Sequence, residues 1–341
     1  MNTINVGILG LGRIGTSFGL ALRRYSARKD ARQQFNVTGY DALEARGTAA
    51  RNRSAVDHVT RSMFDAAGNK DIVILALPYR EVAAAYRAIG KEVRDGTVIL
   101  DASPLKLPSE AWASKHLQPE AYAIGITPVV NPAYLFDGLD DTEHAVADLF
   151  DNGHMLLMPH PKAPKDAVEL AADLAELIGA KSHFADAAEH DVWAASTEGL
   201  PAALGVAAFA TLTRRDDWDD ARRAGNPAFG RLTHHLTDAH PDDLRDLLLN
   251  NRENVARQID ATIETLTTLR TILAQNDQAA LEGLLIDAAQ TYQLWVMRRQ
   301  KGDWDEKSGA PKRESSADIF MSGLFGTAVS KRLRGDKKSD E

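Results

Sequence analysis

Two rhythms of apolar and polar positions divide this chain. Up to about residue 185, short apolar runs alternate with segments whose apolar residues recur every three or four positions. Val6 to Leu9, Phe35 to Tyr40, Asp71 to Leu77, Thr97 to Leu100, Ala121 to Ile126 and Met155 to Met158 read as strands. The Asp71 and Thr97 runs are continuously apolar, as expected of strands covered by helices on both faces. Helical spacing appears in Ile14, Phe18, Leu20 and Leu22, in Glu81 to Ile89, and in Asp166 to Ile178 with its stripe at 170, 174, 177 and 178. Gly179 stands where a helix C-cap is expected. Strands alternating with helices predict an α/β fold built on a Rossmann-type, doubly wound parallel sheet. After Ala185 the strand patterns stop. Ile259, Ile263, Leu266, Leu269 and Leu273 recur near coiled-coil spacing, so an all-helical domain follows. That stripe is buried either within its own domain or between two copies of the chain. The expected organisation is a sheet domain over 1–185, a helical substrate and dimerisation domain over 186–300, and a C-terminal segment over 301–341. The last segment reads as a charged linker followed by an amphipathic piece from Ile319 to Leu333, expected to dock on a partner subunit.

The first strand runs straight into Gly10-Leu-Gly12-Arg13-Ile14-Gly15. Gly10 permits a tight turn, Gly12 lets backbone approach a pyrophosphate, and Gly15 lets the helix pack on the strand. The helix N-terminus then offers N–H groups to the phosphates. Strand, glycines and helix in this order make residues 1–185 a dinucleotide-binding domain. Asp41, at the tip of the second strand, can accept from ribose hydroxyls and repel a 2′-phosphate, which favours NAD over NADP. It can equally cap the segment from Ala42. Arg46, Arg51 and Arg53 downstream are the residues that would receive a phosphate instead.

In an open parallel sheet the ligand lies beyond the carboxyl ends of the strands. There lie Leu77-Pro78-Tyr79, Asp101 to Lys106, and Gly125 to Pro132, with Pro128 among the proline-stiffened positions expected to cover the nicotinamide. Ser103 either bonds a carboxamide or substrate hydroxyl or caps its own turn. Lys106 either neutralises a carboxylate or is a solvated charge.

Composition narrows the class. The 341 residues are 44% hydrophobic and 26% charged, with net charge −8, which disfavours nucleic acid as the main partner. There is no cysteine, so thiolate chemistry is excluded and nothing points to an oxidising compartment. No apolar run approaches the roughly 20 residues of a membrane span. The first strand starts too early for a signal segment. A cytoplasmic enzyme is the simplest expectation, and the histidines show no metal-ligand spacing.

These residues resemble the prephenate/arogenate dehydrogenase family over roughly 4 to 275. The resemblance rests on the glycine fingerprint, Leu75-Ala-Leu-Pro78, the Asp101 to Lys106 turn, Glu189-His190-Asp191 leading to Leu200-Pro201, and Pro241, Arg245, Asp246, Leu247 and Asn251. It implies a Rossmann domain followed by a helical dimerisation domain. It also implies NAD-dependent oxidation and decarboxylation of a cyclohexadienyl carboxylate, the tyrosine-biosynthesis type of reaction. Three positions depart from the family. Thr127-Pro128-Val129 stands for His-Pro-Met, whose histidine handles the substrate hydroxyl. Glu198-Gly199-Leu200-Pro201-Ala202 stands for Ser-His-Leu-Pro-His. Thr233-His234 stands for a Thr-Arg pair that grips a carboxylate, with Arg231 nearby as a substitute. Threonine cannot take up a proton near neutral pH as imidazole does. Either Glu198, His234 or His235 supplies the base, or the chain oxidises a different hydroxy acid, or it is a non-catalytic NAD(H)-responsive protein. Lys106 and Arg231 are the expected carboxylate partners, and His190 is expected to orient the helical domain.

Overall fold

The computed structural model describes residues 2–137 and 141–302. Eight strands form one sheet: β1 (Asn2–Leu9), β2 (Gln33–Tyr40), β3 (His58–Val59), β4 (Ile72–Leu75), β5 (Val98–Asp101), β6 (Tyr122–Val129), β7 (His154–Pro159) and β8 (Lys181–Phe184). Among them run α1 (Arg13–Ser26), α2 (Glu44–Asn52), α3 (Met63–Ala67), α4 (Tyr79–Ile89), α5 (Lys106–His116) and α6 (Lys165–Leu177). The spatial order is β3-β2-β1-β4-β5-β6-β7-β8. Chain order reverses beside β1, which places a ligand crevice over the β1 and β4 carboxyl ends.

Alternate residues of β4 show how the sheet is covered. Ile72 and Ile74 join the core beneath α1 and α6, with Phe18, Leu22 and Leu174. Val73 and Leu75 point the other way, into the core of α4 and α5 with Val82, Tyr86 and Ala113. Gly179 follows α6 at φ +99°, the left-handed conformation a C-cap glycine supplies.

One expectation is corrected: the sheet is not wholly parallel. β7 pairs antiparallel with β6, Thr127 lying opposite Leu156. Between Val129 and His154 the described chain has only two short 3₁₀ turns, Pro132–Tyr134 and Thr142–His144. Without a crossover helix to carry it to the other edge, the chain enters β7 from the end where β6 stopped.

After β8 come only helices: α7 (Ala187–Ala194), a π-helical turn (Ala195–Gly199), α8 (Leu200–Thr213), α9 (Trp218–Ala221), α10 (Pro227–Thr233), α11 (His235–Asp238), α12 (Pro241–Asn250), α13 (Arg252–Ala274) and α14 (Gln278–Lys301). One compact unit extends through Ala261 and a second begins at Thr262. Within the second, Ile263, Leu266 and Leu273 of the periodic stripe are exposed. The expected linker and amphipathic piece beyond Gly302 lie outside the described residues.

Candidate active site

The β1–α1 turn is built for an anion. Gly10 sits at φ +94°, and a side chain there would press on the Ala76 carbonyl. A Cβ on Gly15 would fall 1.9 Å from the Gly10 carbonyl oxygen, so both glycines are required by close approach of backbone to backbone. Gly12 is the N-cap of α1 and brings no side chain to its N–H groups, which leaves them to a phosphate. Asp41 ties the glycine turn to the start of the next segment without serving as the N-cap of α2, which is Leu43. One carboxylate oxygen accepts from Leu11 N at 2.8 Å and fixes the turn; the other accepts from Leu43 N at 2.8 Å ahead of α2. The remaining lone pairs suit ribose hydroxyls.

This turn opens into a cleft of about 550 Å³ lined by Gly10, Gly12, Arg13, Ile14, Asp41, Arg46, Leu77 and Pro78, and further along by Tyr79, Pro104, Glu198 and His235. Arg13 is buried and forms a bidentate pair with Asp137 at 2.7 and 2.6 Å, with the Tyr134 ring 5.5 Å away. Its charge is therefore already matched by protein. Arg80 of α4 pairs with Asp243 of α12 across the rim, a contact no spacing in the chain announces.

Several residues expected to meet the substrate are otherwise engaged. Ser103 is buried, its hydroxyl bonded to Ser109 Oγ at 2.7 Å and donating to Leu105 O at 3.2 Å, so it caps its own turn. Lys106 is neither solvated nor directed at a ligand. Its ammonium donates to the carbonyls of Asp101, Ser103 and Ile126, and burial lowers its pKa to about 8. The bare Cα of Gly125 makes room, since a Cβ there would lie 2.9 Å from Lys106 Cδ. Arg231 is exposed on α10, outside the cleft lining. His234 is also outside, paired with Asp238 at 2.7 Å; its neighbour His235 lines the cleft instead. Pro128 continues β6 opposite Met155 and is absent from the lining. Glu198 does reach the cleft, carried by the π-helical turn. Its side chain is exposed along the cleft, and desolvation by the surrounding protein pushes its carboxyl above the usual range.

Thr127 belongs to a different cluster. Its hydroxyl lies 2.8 Å from His190 Nε2, and His190 Nδ1 is 3.1 Å from Asp191 Oδ1. Asp191 also accepts from the backbone N–H groups of Lys106 at 2.8 Å and Leu107 at 3.0 Å. An orienting role for His190 is expected from the sequence, but its bond to Thr127, 63 residues earlier, is a contact that no local spacing announces. The adjacent His-Asp pair was the available signal.

Two family models match in tandem: the prephenate dehydrogenase nucleotide-binding domain over residues 18–184 and the prephenate dehydrogenase dimerization domain over 186–286. The chain belongs to the prephenate dehydrogenase family. Among curated family members, it is 24% identical to a cyclohexadienyl dehydrogenase of Zymomonas mobilis, across 80% of this chain and 89% of that protein. It is also 24% identical to a prephenate dehydrogenase of Bacillus subtilis, across 86% and 76% of the two chains. The fold matches that of an A. aeolicus prephenate dehydrogenase in complex with hydroxyphenyl propionate and NAD+, with TM-score 0.71, 21% identity, and 87% and 99% of the chains covered. A Synechocystis arogenate dehydrogenase matches with TM-score 0.64 and 18% identity over 86% and 100%. Membership in the prephenate dehydrogenase family makes the chain a dehydrogenase with a nucleotide-binding and a dimerisation part.

Proposed function

We propose that this chain is an NAD-dependent oxidoreductase of the cytoplasm that oxidises and decarboxylates a cyclohexadienyl carboxylate of the prephenate or arogenate type. The observation that carries the proposal is the β1–α1 cradle opening into the cleft that Glu198 lines, in a chain of this family. Gly10, Gly12 and Gly15 would take the pyrophosphate on backbone N–H groups, and Asp41 the adenosine ribose, with its charge set against a 2′-phosphate. Bound NAD would supply a hydride acceptor. Leu77, Pro78 and Pro104 would form the apolar side of the space beside it, Tyr79 adds a ring at the wall, and Glu198 and His235 are titratable groups on the lining. No helix among the described residues is long and apolar enough to cross a membrane. The test is NADH formation by the full chain with prephenate and with arogenate. A rate above background with either supports the assignment; no rate with both, in protein that binds NAD by calorimetry, excludes these substrates.

A further inference from the structure

We propose that Thr127 is the residue that takes the substrate's hydroxyl proton, relaying it to His190, with Asp191 as the positioning residue behind the ring. This rests on the dehydrogenase reading above and supplies the proton acceptor which that reading lacks.

Position comes first. Asp101, the last residue of β5, pairs with Gly125, so β6 runs on past it and carries Thr127 at the carboxyl edge of the sheet. That edge is where an open α/β sheet presents ligands. Thr127 is half-buried and, like His190, lies beside the cleft lining rather than in it. The lining reaches Ala102 and Pro104, which follow the neighbouring β5, and the Lys106 ammonium ties Ile126 O to the Asp101 and Ser103 carbonyls.

The hydrogen-bond directions follow from what each group can do. Asp191 receives two backbone N–H donors, one on each oxygen, so its carboxylate serves here as an acceptor. His190 must then present Nδ1–H to Asp191, leaving Nε2 bare in the neutral ring. Nε2 therefore accepts the Thr127 hydroxyl proton, and the threonine oxygen keeps its lone pairs for an incoming O–H. The charged groups near the ring are Asp191 on its own helix and Lys106 on α5, while Thr127 from β6 is neutral. Burial first, and then Lys106, lower the His190 pKa, so the ring is neutral and ready at neutral pH.

The step balances. As the carbinol C–H leaves as hydride to the nicotinamide of NAD+, the substrate O–H proton passes to Thr127 Oγ1 and the threonine proton to His190 Nε2. The ring carboxylate then departs as carbon dioxide, and its bonding pair enters the ring. The oxygen, becoming a phenol, takes its proton back along the same path. No net proton is released, so the acceptor need only hold one briefly, which suits an imidazole of lowered pKa.

The experiment compares Thr127→Val, Thr127→Ser and His190→Gln with the wild-type chain, each checked for folding by thermal melt and NAD titration. With a turning-over substrate, Thr127→Val should lower kcat about a hundredfold with little change in the KM for NAD, and Thr127→Ser should restore most of that loss. The wild-type kcat should fall on the acid side below the ordinary histidine range, and His190→Gln should abolish that limb. A second readout needs no turnover: the His190 ring titration followed by NMR with 4-hydroxyphenylpropionate and with phenylpropionate. Only the phenol should shift it, and only when Thr127 is intact. Wild-type turnover with an unchanged rate in Thr127→Val and an unchanged acid limb in His190→Gln overturns the relay and leaves the dehydrogenase reading standing. No turnover with prephenate or arogenate, but a retained phenol response, overturns the substrate assignment and keeps the hydroxyl contact. Loss of both overturns both.

Discussion

Lys106 holds a positive charge inside the protein without a carboxylate in direct contact, relying on the carbonyls of Asp101, Ser103 and Ile126. Its pKa of about 8 lies below the ordinary 10.5, so between those values the unfolded chain binds more protons than the folded one. Stability from this group therefore rises with pH across that window, and the full cost of burying the charge is felt below pH 8. Lys106→Met removes the titration but orphans buried carbonyls, so we expect a net loss of about 2–4 kcal/mol at neutral pH and a flattened slope above pH 8. Urea melts of both proteins at neutral and alkaline pH measure the two effects. A lysine that bound substrate carboxylate would instead show its main effect in KM. Asp41 combines two duties, and Asp41→Asn separates them. The amide retains one acceptor for Leu11 N or Leu43 N but loses the charge, so NAD binding should weaken about tenfold while the bias against NADP relaxes; fluorescence titration with both cofactors reads this out. Asp41 is easy to locate from the sequence because its position is local, set by the strand it ends. Lys106 is misassigned from the sequence because the lysine's path depends on Gly125, which lies 19 residues on and meets it only in the folded sheet.

The elements legible in the sequence were those that bury both faces. Buried strands such as β4 and β5 leave continuous apolar runs. β3 and β8 sit at the sheet edges, where residues such as His58, Val59, Lys181 and Phe184 are exposed, and so they left no such run. The direction of β7 was illegible for another reason: an apolar run reads the same either way, and the antiparallel choice is made by the missing crossover helix. The π-helical turn between α7 and α8 was hidden too. Pro201 has no N–H to give to the carbonyl of Thr197, four residues earlier, and the widened turn ahead of it accommodates that loss. The turn carries Glu198 to the cleft. Desolvation raises the Glu198 pKa above its unfolded value, so between the two the folded chain binds more protons and stability falls as pH rises. Glu198→Gln removes this penalty. We expect an unchanged or slightly higher melting temperature at neutral pH together with a lower kcat/KM, and scanning calorimetry beside NADH-linked kinetics tests the pair. A purely structural glutamate would lower the melting temperature and leave kcat/KM alone.

At the scale of the whole molecule, the question is what covers the stripe that the sequence could assign either to an internal core or to a second copy. Ile263, Leu266 and Leu273 are 54%, 52% and 58% exposed, and on α14 Leu285 and Tyr292 are 59% and 52% exposed. Large apolar side chains like these each gain roughly 1.5–3 kcal/mol when taken out of water. Two helices displaying such residues offer apolar surface for a second copy to cover, and the matched dimerisation domain includes Ile263 to Leu285. The chain mass is 37.1 kDa, and sedimentation equilibrium should return twice that value for the wild type. Leu266→Glu combined with Leu273→Glu places charges on the stripe, at positions that are exposed within one chain, so the fold should persist while the mass falls to that of a monomer. If the double variant remains a dimer, the stripe is not the interface. If it unfolds without passing through a monomer, burial of these residues is part of folding itself, and the chain is stable only as a pair.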